Sequence, residues 1–164
     1  MKKLGSFSSS FLIWSFFSSC FADSSGSSNV TYTVPPVSIL TVSGNVAFGA
    51  FATPAAGSDF SSLTDNSTTY NVTNNAGSSS RKVTVQLGAA LPTGISLSAS
   101  LNAPTGATSS GTTAVSSTSA VTVVTAIGNG AFPSNGITYS ILAAVATASV
   151  ATATIALTYT LTSS

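Results

Sequence analysis

Apolar and polar residues alternate along much of this chain with a period of two, not the three to four of a helix. The pattern runs through "NVTYTV", "VSILTV", "NVAFGAF", "TTYNVT", "RKVTVQL", "GISLSASL", "AVTVVTAI", "ITYSILAAV" and "TATIALTYTL". In a strand successive side chains point to opposite faces, so alternation gathers the apolar set on one side, the signature of a half-buried β-strand. Between these segments, "VPPV", "ATPAAGSD", "NNAGSSS", "LPTG", "NAPTGATSSG" and "FPSNG" hold Gly, Pro, Asn and Ser. Those residues supply turn geometry, and all the prolines fall in or beside such breaks. About eight or nine strands without helical periodicity predict an all-β fold, an antiparallel β-sandwich of immunoglobulin-like or pilin-like outline.

The uncharged run 137–161 is long enough to cross a bilayer as a helix. Within its C-terminal half, however, residues 152, 154, 158, 160 and 162 are all Thr, while 151, 153, 155, 157, 159 and 161 are apolar or aromatic. A helix would scatter those hydroxyls around its circumference, whereas a strand places them on one face. A membrane β-barrel is a further alternative, but the aromatics do not cluster at strand ends as interfacial girdles would. A C-terminal lipid-anchor signal is disfavoured by its threonine content.

The N-terminus departs from the strand pattern. Lys2 and Lys3 precede an apolar run from Phe11 to Phe17, and "CFA" at 20–22 offers a small-x-small cleavage site, so residues 1–22 are expected to be a signal peptide. Residues 23–29 are Ser- and Gly-rich and read as a tether, leaving 30–164 as a single sandwich domain. Cys20 is the only cysteine. Cleavage after Ala22 discards it, whereas the relaxed lipobox "FSSC" would make it a lipidated anchor, the one route by which a membrane enters the reading. Either way a disulfide within the chain is excluded.

Composition then narrows the chemistry. The chain has four Lys and Arg, three Asp, no Glu and no His. Beyond the leader, Arg81 and Lys82 are the only cations, too few for a phosphate-binding footprint, so nucleic acid is not an expected partner. Without His, and without Cys after the leader, the usual general base, thiol nucleophile and soft metal ligands are missing. Asp59 and Asp65 could in principle form a hydrolytic carboxylate pair, or join Asn66 around Ca²⁺. They sit in the expected loop "GSDFSSLTDNST" without ligand spacing and read as solvated turn residues. No enzyme activity and no cofactor are expected. "GNG" at 128–130 is too sparse for a phosphate loop. Asn29, Asn66 and Asn71 open N-glycosylation triplets that an Asn- and Thr-rich chain produces by chance. Arg81 and Lys82 open "RKVTVQL", where they would guard a sheet edge or strand end, or alternatively contact an aspartate of a neighbouring subunit.

In its leader, alternating first segment, low charge and terminal "TIALTYTLTSS", the chain resembles secreted bacterial pilin-like and spore-coat-U-like subunits. Those families generally carry a disulfide, which this chain lacks. The ending "LTYTL" also resembles the C-terminal motif of WxL-type wall-binding domains, with Tyr159 in the place of a Trp. The resemblance implies an exported, non-catalytic structural protein of the bacterial cell surface, a fibre, pilus-like or coat subunit whose partners are copies of itself or other surface subunits. Strand addition between subunits is the physical route, and Val30, Tyr32 and Val34 form the candidate donor or edge strand. The alternatives are that this segment is simply the domain's own first strand, and that the protein is a monomeric adhesin or carbohydrate-binding module.

Overall fold

The computed structural model describes residues 26–77 and 80–164. Among them there is no helix, and nine strands form two antiparallel sheets. The strands are β1 (Ser38–Ser43), β2 (Leu63–Asn74), β3 (Arg81–Leu87), β4 (Ile95–Leu101), β5 (Thr108–Ser109), β6 (Thr113–Ala114), β7 (Val121–Ile127), β8 (Gly130–Ala143) and β9 (Leu157–Ser163). One sheet has the order β1-β2-β8-β4-β6 and the other β5-β7-β3-β9. All nine lie in the unit Val34–Ser164, while residues 26–33 belong to a separate unit and carry no strand.

Alternation explains the core. Tyr70 and Val72 of β2, Leu97, Ala99 and Leu101 of β4, and Ile137 and Tyr139 of β8 face one side of the first sheet. Val83, Val85 and Leu87 of β3, with Val123, Val124 and Ile127 of β7, face it from the second. These side chains form one buried cluster, so the two sheets make a β-sandwich. Removing such surface from water is worth about 25 cal/mol per Å² of apolar area, the main stabilising contribution to a domain with so few charges.

Bulges interrupt the ladders of β2, β7 and β8, and polar side chains replace lost backbone bonds in β2 and β8. Expected as a turn, "FPSNG" lies inside β8. Tyr70 pairs with Asn135 but Val72 with Phe132, so β8 carries an extra residue there, and Ser134 takes φ 55°. Pro133 fits because a bulged residue leaves the ladder, where a missing N–H does no harm. The Asn71 Oδ1 accepts the Ser134 N–H at 2.7 Å, and Asn135 Nδ2 donates to the carbonyls of Phe132 and Tyr70. In β2 the register shifts between Asp65 and Thr68. The irregular register of β7 puts Ala126 at φ 58° and lets adjacent Val123 and Val124 both reach the core.

Two expected strands are not strands. The whole of 26–37 and 44–62 lacks regular structure, so "NVTYTV" and "NVAFGAF" pair with no strand among the described residues. The first strand therefore begins at Ser38, not Val30. The terminal strand is shorter than expected, with residues 151–156 irregular before Leu157. Ala, Gly and Pro crowd 44–57 and Ala crowds 143–156, and all three are poor strand formers. Among the described residues no helix is long and apolar enough to cross a membrane.

Candidate functional site

Burial is uneven across the sandwich. Central strands bury their inward side chains almost completely, whereas the inward residues of the two long edge strands, Leu40 and Val42 of β1 and Leu157, Tyr159 and Leu161 of β9, are only half-buried. Strands β1 and β9 run close together without hydrogen bonding to each other. Beyond Ser43 the chain leaves the sheet, and the sandwich opens into a cavity of about 770 Å³. Val46, Phe48 and Phe51 form one lip, Ile155 and Leu157 the other, and Leu87, Leu97 and Ile141 the floor. No charged residue lines it.

The lips are the irregular segments 44–62 and 144–156. Phe51 and Phe60 hold the first together, their rings tilted at 58° with centroids 5.6 Å apart. The Val145 N–H donates to Asp59 Oδ1 at 3.3 Å, tying one lip to the other. Thr147 closes on Gly94, whose φ of +84° and near-contact with the threonine hydroxyl leave no space for a side chain.

One pleat along from the cavity, a hydroxyl pair joins the sheets. Tyr139, two residues from Ile141 on the inward face of β8, places its hydroxyl 2.5 Å from that of Tyr159, two residues from Leu157 on β9. Burial pushes the Tyr159 phenol well above its ordinary range, and the bond to Tyr139 raises it further. Tyr70 is fully buried with its hydroxyl donating to the Asn102 carbonyl, and burial pushes its pKa up to about 12.

The residues singled out in the sequence separate. Val30, Tyr32 and Val34 are 81%, 82% and 66% exposed and lie outside any strand, which overturns the reading that they form the domain's own first strand. Arg81 and Lys82 stand on β3, an interior strand between β7 and β9, so they guard no sheet edge and mark a strand end instead. Both are half-buried, and Arg81 Nη2 donates to the Ala76 carbonyl at 3.4 Å.

Asp65, expected in a loop, is in β2 at the bulge, where its carboxylate accepts the Ser67 N–H at 3.0 Å and the Ser67 hydroxyl at 2.8 Å. The Ser67 amide is the main cause holding its carboxyl below the ordinary value. Asp59 and Asp65 are thus held by different partners, and among the described residues no three His, Cys, Asp or Glu gather to hold a metal. Asn29 and Asn66 are exposed, while Asn71 is occupied at the β8 bulge. Cys20, and with it the whole of the expected signal peptide 1–22, lies outside the described residues.

Sequence reasoning missed the cavity lips and the tyrosine pair. The lips carry a compositional signal in the small residues of "GAFATPAAG" and "AAVATASVATA". The pair has none, because partners on β8 and β9 meet only through the packing of two sheets. In comparisons with known proteins, no family model matches this chain, and neither does any curated protein or solved structure.

Proposed function

We propose that this chain is an exported, non-catalytic structural subunit of the bacterial cell surface. It assembles into a fibre or coat by strand addition, the segment 30–34 of one copy seating along the half-open β1/β9 side of the next. A signal peptide at 1–22 would route it there. The observation that carries the reading is the exposure of Val30, Tyr32 and Val34. Three large side chains at alternate positions are exposed in a segment that has the pattern of a strand and, among the described residues, pairs with no strand.

Strand order adds support. In an immunoglobulin-type sandwich the strands lie as ABED in one sheet and CFG in the other. Here β1-β2-β8-β4 takes the ABED order and β3-β9 the places of C and F, with β7 added beside β3. Among the described residues no strand fills the place of G, beside β9. A strand arriving there would meet unpaired backbone along seven residues and cover the half-buried faces of Leu157, Tyr159 and Leu161.

Electron microscopy and size-exclusion chromatography of the purified secreted protein test the reading. Filaments or detergent-resistant ladders are expected, and they should disappear in Val30→Asp and Val34→Asp variants whose melting temperature is unchanged. Strictly monomeric elution of the wild-type protein at all concentrations overturns it and leaves the monomeric envelope-binding module in its place.

A further inference from the structure

The tyrosine pair has an unused hydrogen. Two phenols carry two O–H donors, and the single bond between Tyr139 and Tyr159 uses one of them. Among the described residues neither oxygen makes another hydrogen bond, although Tyr139 is only 1% exposed. Tyr159 is only half-buried, so the spare donor lies at the edge of the core, where a polar group arriving along β9 can accept it in place of water. The pair also sits where an added strand would pass, since Tyr159 is the middle of the three half-buried inward residues of β9.

The segment "NVTYTV" carries a matching feature. Its inward candidates are Val30, Tyr32 and Val34, a polar-tipped residue between two aliphatic ones at the same two-residue spacing of about 7 Å as Leu157, Tyr159 and Leu161. Resting on the proposed strand addition, we infer that the Tyr139–Tyr159 hydroxyl pair sets the register of assembly by hydrogen bonding Tyr32 of a second copy. With Tyr32 in the row of Tyr159, its valines fall beside Leu157, at the mouth of the uncharged cavity, and beside Leu161. Slipped by two residues, the strand would press the Tyr32 hydroxyl against leucine and leave both it and the pair's spare hydrogen unsatisfied. Apolar contact alone tolerates that slip, because a valine then takes the row of Tyr159 and the tyrosine ring the row of a leucine. The hydroxyls do not.

The test uses a fluorescently labelled peptide of residues 28–36 and the full secreted chain at a concentration where it elutes as a monomer, with binding read by anisotropy. Replacing Tyr32 by Phe in the peptide is expected to weaken binding to the wild-type protein by about 2- to 12-fold, the factor equivalent to one net hydrogen bond. Against Tyr159→Phe protein, or Tyr139→Phe should the first fail to fold, the same change in the peptide should have little effect. Equal losses in wild-type and Phe proteins overturn the register role while leaving strand addition standing. If the wild-type peptide does not bind at all, strand addition itself falls, and the register role with it.

Discussion

Tyr70 offers a direct measure of how firmly the sandwich excludes water. Its side chain is fully buried, its hydroxyl donates to the Asn102 carbonyl, and its pKa is pushed up from 10.0 to about 12. A tenfold change in an ionisation constant corresponds to about 1.4 kcal/mol, so the fold prefers the neutral phenol by up to about 3 kcal/mol. Because the folded value lies above the unfolded one, that stability is fully present below about pH 10 and is lost as the pH rises through about 12.

Tyr70→Phe removes the titration but leaves the Asn102 carbonyl without its donor, which costs about 1–3 kcal/mol at neutral pH. Urea unfolding followed by circular dichroism, on both proteins from about pH 8 to about pH 12.5, should show the variant less stable at the acid end and the gap closing through the alkaline window. Tyr159, whose phenol burial also raises, is present in both proteins, so its contribution cancels in the difference. A gap that stays constant across the range would refute the argument, since it would mean that Tyr70 ionises as easily in the folded as in the unfolded chain.

Three further expectations follow from single sites. Leu101→Ala, at a position 1% exposed in the buried cluster, should lower the unfolding free energy by about 2–5 kcal/mol in the same urea assay, whereas Val30→Ala, in an exposed and unpaired segment, should stay within about 0.5 kcal/mol. Ala126→Gly should stabilise by about 0.5–1 kcal/mol, because a left-handed conformation costs an alanine about 1–2 kcal/mol and glycine nothing, less the entropy glycine adds to the unfolded chain; a loss would show that the Ala126 methyl packs usefully. The Asp65 carboxyl, followed by NMR, should titrate below 3.8, so any stability it lends is present above that value and lost as the pH falls through its lowered midpoint. Ser67→Ala, which removes the hydroxyl and keeps the amide, should bring that midpoint only part of the way back.

Local pattern was informative where each strand had a partner. "RKVTVQL" and "GISLSASL" coincide with β3 and β4 because their alternating valines and leucines both define a face and have a facing sheet to bury it. "NVTYTV" and "NVAFGAF" alternate equally well, but alternation reports which side of a residue is apolar and says nothing about what lies beside its backbone. Val46 and Phe48 pack against the core from an irregular segment, and Val30 and Tyr32 are exposed. The reverse error occurred at "FPSNG", where turn residues serve a bulge whose lost ladder bonds are replaced by Asn71, 63 positions before the Ser134 amide it accepts. Of the site, the exposed segment was legible, while the cavity and the tyrosine pair depend on sheet order, which no local period encodes.

Sheet edges usually carry protection, and the edges of this sandwich differ in how much they have. β5 and β6 are two residues long, too short to template another chain. β1 is entered through Pro35 and Pro36, and the Val37 N–H that follows them is already held by Asn75 Oδ1. β9 has none of these devices: seven residues in unbroken register with β3, without proline, bulge or charge. A chain this poor in charge can tolerate one unguarded edge only if something covers it, because an exposed flat edge pairs with whatever strand it meets. The segment 29–34 has the alternation of a strand and, among the described residues, pairs with no strand. Under the proposed strand addition an edge without a guard and a strand without a sheet would satisfy each other between copies, and the remaining edges are blunted enough that growth would proceed along that single contact.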